Sequence, residues 1–297
     1  MSPPRERNDR SRPNSRPFSK PAKSGPSEGR KGAWTPEPDR AAGPAAGSAR
    51  GGHRRRPAEI SQDWLWGWHA VKAALANPAR TGFKRLLINP SRLQDIESAA
   101  RTAGVQPEAL APADIARFLP PGAVHQGVAL LAEPLEPVTI HDLAQPASGV
   151  LVMLDQVTDP QNVGAILRTA AAFGARGVIL QDRHAPTLSG ALAKAAAGAV
   201  DQLPHARVVN LSRALEVLNE AGWRTVGLDG EAAQPLEAAL NNSPTVLVLG
   251  SEGEGIRRLV AEHCDALACI PMPGGFESLN VSAAAAVALY AAVKAQS

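Results

Sequence analysis

Apolar positions along the chain change their rhythm twice. Over residues 1–59 they have no period: Pro, Gly, Ser and Arg follow one another, with isolated aromatics at Phe18 and Trp34. Such a stretch cannot bury enough apolar area to offset the entropy of ordering it, so it is predicted to be disordered. Order is predicted to start near "DWLWGWHAVKAALANP", where Val71 and Leu75 recur at helical spacing and Asn77-Pro78 stops the helix. "FKRLLINP" has the pattern of a strand, "RLQDIESAARTAG" of a helix closed by Gly104, "PADIARFL" of a short helix and "HQGVALLAEPL" of a strand. Together these predict a small α/β unit over 60–133. A spacer over 134–148, carrying Pro134, Pro137 and Pro146, is expected to follow it.

From Gly149 onward strands alternate with helices. The predicted strands are "GVLVML", "GVILQ", "ARVV", "WRTVGL", "TVLVLG" and "ALACI", with helices at about 162–174, 188–199, 211–221, 256–263 and 279–294. Near-continuous apolar strands separated by helices point to a parallel sheet covered on both faces, here over 149–297. Ligands on such sheets bind beyond the carboxyl ends of the strands. The loops at those ends are therefore where chemistry is expected.

Charge divides the chain in the same place as the hydrophobic pattern. Residues 1–60 hold 14 Lys/Arg against 6 Asp/Glu, a balance of +8, while the remainder holds 17 against 22, a balance of −5. The basic arm is either a solubilising tail or a segment that gathers RNA through counterion release. On the acidic body, Lys84, Arg85, Arg92 and Arg101 form either an RNA-attracting patch or ordinary solvated surface. The two cysteines, Cys264 and Cys269, build neither a disulfide framework nor a four-ligand zinc site, and are expected to be buried free thiols. "MSPPRERNDR" lacks the apolar core of a signal peptide, and the apolar run near 283–289 is far short of a membrane span. A soluble, cytoplasmic protein with no membrane partner is expected.

Three loops carry candidate chemistry. In "LDQVTDPQNVGAILRTAAAFGA", Asn162 and Gly164 stand at the mouth of a helix, with Arg168 six residues after Asn162. At about a turn and a half, both side chains are expected to serve one cleft, unless Asn162 only caps the helix and Arg168 is solvated. In "LGSEGEGIRRL" the glycines suggest a nucleotide loop. The spacing fits neither phosphate-binding pattern, and Glu252 and Glu254 would repel phosphate. Close backbone approach to an uncharged or cationic ligand fits better, with a plain strand-to-helix turn as the alternative. In "PMPGGFESLNVSAAAAVALY", Ser278 or Asn280 can cap the last helix. A single cap leaves the rest of that polar set unexplained. No Ser–His–Asp order, metal-ligand cluster or cysteine nucleophile accompanies these loops, which suits transfer between two bound substrates by positioning.

These loops, in this order, resemble the SpoU/TrmH family of SPOUT-class RNA 2′-O-ribose methyltransferases. Asn162-Val-Gly164 with Arg168 matches the family's first motif, Gly250 to Gly255 its second, and "IPMPGGFESLNVS" its third. Residues 64–133, ending in His125-Gln-Gly127, are similar to the family's small ribosomal-protein-like substrate-binding domain. That domain favours the branch acting on a guanosine of 23S rRNA. The same reaction on tRNA or on an rRNA adenosine, and a catalytically idle RNA-binding assembly factor, stand as alternatives. The resemblance implies a C-terminal trefoil knot and a homodimer with its sites at the subunit interface. It also implies S-adenosylmethionine as methyl donor with no metal. The implied catalytic set is Asn162, Arg168, Glu252, Ser278 and Asn280. The donor would be held around Gly250, Ile270 and Leu279, with Leu228 and Met272 nearby. Arg168 is expected to bind phosphate or stabilise oxyanion character rather than act as a base, because guanidinium does not readily lose its proton.

Overall fold

The computed structural model describes residues 63–297, which form two sheets in one compact unit. The predicted disordered arm and its proposed attraction for RNA lie outside the described residues. The first sheet has four strands, β1 (Trp64–Trp66), β2 (Phe83–Ile88), β3 (Pro107–Ala109) and β4 (Val128–Ala132), in the order β1-β4-β2-β3. Helices α1 (Trp68–Ala76), α2 (Leu93–Thr102) and α3 (Pro112–Ile115) complete this small unit. β2 and β4 match the expected strands. β1 and β3 were not anticipated: at three residues each they are too short to display a period.

The segment expected to be a bare spacer contains α4 (Ile140–Ala144), which starts in a capping box between Thr139 and Asp142 and buries Leu143 and Ala144. Val138 bridges Ala206, and Trp223 Nε1 donates to Ala144 O at 2.9 Å. This stretch is therefore packed onto the second sheet.

The second sheet is wholly parallel, with strands β5 (Val150–Leu154), β6 (Gly177–Gln181), β7 (His205–Val208), β8 (Arg224–Leu228), β9 (Thr245–Leu249) and β10 (Ala266–Ala268). Its order is β10-β8-β9-β5-β6-β7. β5, β6 and β9 are buried at every position, as strands covered on both faces must be. The covering helices are α5 (Pro160–Ala172), α6 (Gly190–Ala196), α7 (Leu211–Glu220), α8 (Leu236–Ala239), α9 (Arg258–Ala261) and α10 (Val281–Ala295). Among the described residues no helix is long and apolar enough to cross a membrane. Both cysteines are half-buried rather than enclosed, and burial pushes the Cys264 thiol up to about 12.

The two sheets are joined through polar groups. Arg80 Nε lies 2.6 Å from Asp201 Oδ1, with both side chains almost fully buried, and Arg80 Nη1 donates to Glu133 O at 2.9 Å. Asn77 Nδ2 adds a 3.2 Å bond to the same Asp201 oxygen. Beside this pair a cavity of about 200 Å³ is bordered by Arg80, His205 and Arg207. Burial, with Arg207 and Arg80 adding their charge, pulls the His205 ring down to about 4. Its folded value lies below the unfolded value of about 6.5. Stability from the neutral ring is thus complete above about pH 6.5 and is lost as pH falls toward 4, at up to about 1.4 kcal/mol per pH unit. Melting curves from pH 7.5 to 4.5 are expected to fall less steeply for His205→Phe than for the parent; parallel profiles would contradict this.

The basic patch expected on the small unit is largely neutralised within it. Lys84 pairs with Glu133 at 3.7 Å, Arg85 with Glu108 at 2.6 Å and Arg101 with Glu97 at 3.1 Å. Arg92 instead stacks over Trp68, 4.8 Å from the ring centroid.

Candidate functional site

The carboxyl ends of adjacent strands β5, β9, β8 and β10 gather the expected loops at one edge of the parallel sheet. Asp155, directly after β5 and fully buried, accepts from the Arg257 backbone N–H at 2.9 Å and from Arg257 Nε at 2.8 Å. Ser251 and Gly255 exchange backbone bonds at 3.1 and 3.0 Å, folding the glycine loop into a tight excursion. A Cβ at Gly250 would lie 1.9 Å from the carbonyl carbon of Gly255, so a side chain there is sterically forbidden. The loop thus carries Glu252 outward from a pinned base.

Glu252 is where three distant segments meet. Its Oε1 accepts from Asn162 Nδ2 at 3.1 Å, from Asn280 Nδ2 at 2.7 Å and from the Val281 backbone N–H at 3.2 Å. Asn280 Nδ2 also donates to Asn162 Oδ1 at 3.0 Å. Asn162 is free for this because Asp159 caps α5, accepting from the N–H groups of Gln161 and Asn162, with Pro160 in the first turn. The capping alternative for Asn162 is thereby answered.

Asn280 serves two ends at once. Its Oδ1 caps α10 through the N–H groups of Ser282 and Ala283, while its Nδ2 reaches the cluster. The Glu252 charge lies at the same helix N-terminus, where it is favourable. Glu252→Ala removes the acceptor of Asn162 Nδ2 and of the Val281 N–H, leaves Asn280 Nδ2 only its bond to Asn162 Oδ1, and is expected to cost about 1–2 kcal/mol. Thermal melts would show it, with Glu252→Gln retaining part of the loss; an unshifted melting temperature would make the cluster incidental.

Two members of the expected set stand apart from this cluster. Ser278 is exposed in the segment leading to α10, two residues from the cap. Arg168, exposed on α5, lines a separate cleft with Gln161 and Lys194 rather than joining Asn162. Six residues advance a helix by about 240° beyond one full turn, so Asn162 and Arg168 occupy different faces.

The residues expected to hold the methyl donor fall on neighbouring strand ends. Leu228 closes β8, Gly250 follows β9, and Ile270 lies two residues past β10, the three strands being adjacent in the sheet. Leu228, Ile270 and Met272 are half-buried, whereas Leu279 is 41% exposed. The segment over 271–280 comes back past the loop after β8, where a Cβ at Gly230 would sit 3.6 Å from Glu277 O. An apolar rim of Leu228, Ile270 and Met272 next to the strand ends suits a ligand bound through backbone groups and an apolar ring face. S-adenosylmethionine has those features.

Sequence reasoning missed Asp155, Asp159, Gln126 and Lys194. Asp155 carried a signal, a lone carboxylate at the end of a fully apolar strand, and Asp159-Pro160 has the form of a helix start. Gln126 lay within the His125-Gln-Gly127 stretch, but its meeting with Lys194 had no signal, since it spans 68 residues.

Residues 149–290 match the model of the SpoU rRNA methylase family, and residues 64–138 match that of the RNA 2′-O ribose methyltransferase substrate-binding domain. A 23S rRNA (guanosine-2′-O-)-methyltransferase RlmB of Ralstonia nicotianae is 40% identical over 242 residues, covering 78% of this chain and 96% of that one. An uncharacterized tRNA/rRNA methyltransferase of Synechocystis sp. is 38% identical over 242 residues; the match covers 78% of this chain but 62% of that relative. Among solved structures, the AdoMet-bound rRNA methyltransferase of Sinorhizobium meliloti is similar with a TM-score of 0.68 at 26% identity, covering 78% of this chain and 86% of that one.

Proposed function

Since the chain belongs to the SpoU rRNA methylase family, we propose that it transfers a methyl group from S-adenosylmethionine to the ribose 2′-hydroxyl of a guanosine in 23S rRNA. The observation that carries this reading is the meeting of Asn162, Glu252 and Asn280 beside the strand ends that suit the methyl donor. The likeness to relatives named for this reaction supports it.

A ribose hydroxyl is a weak nucleophile at neutral pH, so its oxygen must be held in line and its proton must be helped away. When bound, the donor supplies a methyl group already activated by its sulfonium. The chain's task is then placement. Glu252, held by its three donors, fixes the asparagine amides, and these with Ser278 present hydrogen-bonding groups to the sugar. Arg168 contributes positive charge from the neighbouring cleft, holding phosphate or steadying charge on the attacking oxygen.

The active form is a homodimer in the cytoplasm. The outward Val287 and Tyr290 of α10, 42% and 57% exposed, support a partner-facing helix. The last segment is threaded as a trefoil knot, a reading supported by the course of 271–280 past the loop after β8.

The test combines calorimetry with S-adenosylmethionine and transfer of labelled methyl to 23S rRNA and tRNA transcripts, followed by mapping of 2′-O-methyl ribose. Binding and a single methylated guanosine in 23S rRNA are expected. Methyl transfer to tRNA alone would move the substrate, and RNA binding without any transfer would make the protein an assembly factor.

A further inference from the structure

Resting on the methyl-transfer reading, we propose that Lys194 and Arg168 form a subsite for a backbone phosphate of the RNA substrate, built jointly by the small unit and the parallel-sheet unit. The subsite is the cleft of about 360 Å³ between the start of α1 and helices α5 and α6, bordered by Gly67, His69, Gln161, Arg168 and Lys194. One liquid water accounts for about 30 Å³, so the space admits a phosphodiester with ordered solvent. None of the described residues bordering the cleft is acidic.

Lys194 is placed deliberately. A Cβ at Gly67 would stand 2.6 Å from Lys194 Cδ and 2.8 Å from Nζ, so the end of the lysine lies directly against the backbone of the small unit. Gly67 also has φ +93°, a conformation side chains avoid. The ammonium donates to Gln126 Oε1 at 2.5 Å, and that oxygen also accepts the Trp68 N–H at 3.0 Å. Gln126 itself is held at φ +55°, unusual for a residue with a side chain.

The ammonium is thus oriented by a neutral amide, and no described carboxylate forms an ion pair with it or with Arg168. Burial lowers the affinity of Lys194 for its proton, a cost an incoming anion would offset. One oriented ammonium and a second cation on the same cleft, with no acid on its described lining, describe a receptor for an anion. In a reaction on RNA the abundant anion is the phosphodiester. The carboxylate of S-adenosylmethionine has related chemistry, and the test separates the two.

Full-length protein, Lys194→Gln, Lys194→Arg and Gln126→Glu would be titrated against a 23S rRNA transcript across a salt series, and each against S-adenosylmethionine by calorimetry. Losing one phosphate contact is expected to reduce the magnitude of the log K against log salt slope by about 0.7–0.9 in Lys194→Gln, with weaker binding at low salt. Gln126→Glu keeps the lysine but sets a carboxylate against it, and should reproduce the loss. Lys194→Arg should restore most of the slope, and methyl-donor affinity should stay within about twofold of the parent in all three. Unchanged slopes in properly folded Lys194→Gln and Gln126→Glu would overturn the subsite, as would weakened donor binding with RNA binding intact. Parent protein that binds RNA with the full slope but methylates none would instead sink the function proposed above.

Discussion

Arg168→Ala is expected to bind S-adenosylmethionine within about twofold of the parent and to lose methyl transfer by on the order of 10²–10³-fold. The residue lies on an exposed face of α5, outside the strand ends suited to the donor, so removing it leaves donor binding alone. It forms no described ion pair whose loss would unfold the helix. What disappears is a positive charge beside the proposed substrate site, and misplacement of the substrate by an ångström is enough to cost about 10²-fold. Single-turnover transfer with labelled donor, beside calorimetry, separates the two effects. Parent-like turnover would remove Arg168 from the reaction.

The second large effect concerns stability. Asp201→Ala is expected to cost about 3–5 kcal/mol, because it strands the Arg80 guanidinium in a buried position. The side chains of Arg80 and Asp201 are 2% and 3% exposed, and Arg80 Nη2 is already buried without a partner. Urea titration should show the loss, and the melting temperature should fall by roughly 6–20 °C. Replacing both partners by apolar residues, as in Arg80→Met with Asp201→Leu, should recover much of it. A loss below about 1 kcal/mol in the single variant would mean that solvent reaches the pair.

The parallel sheet was legible because "VLVML" is apolar at every position and "TVLVL" at every position after Thr245, the near-continuous pattern of strands covered on both faces. The cluster was legible in membership for Asn162, Glu252 and Asn280, whose chemistry stood out against glycine-rich and apolar surroundings. Direction was harder. Arg168 is the example: spacing along a helix fixes its angle, and that angle takes it away from Asn162 toward Lys194. The three-residue β1 and β3 were hidden because pairing with longer strands, not their own pattern, makes them strands. α4 was obscured by prolines on both sides, although Thr139 and Asp142 spell out its start. The Arg80–Asp201 pair, 121 residues apart, had no local signal at all.

Gly164 has a reach beyond its own helix. A Cβ there would lie 2.6 Å from the Ala195 Cβ, 2.7 Å from Leu192 O and 3.1 Å from Ala196 N, so α5 and α6 touch nearly backbone to backbone. Lys194 sits on that stretch of α6 and inherits its height above the cleft from this contact. A single methyl group at position 164 would act as a wedge, lifting the ammonium away from Gln126 with every charged residue of the cleft unaltered. Sensitivity at this glycine would then register as a fault in gripping RNA, arising at a position that never meets it.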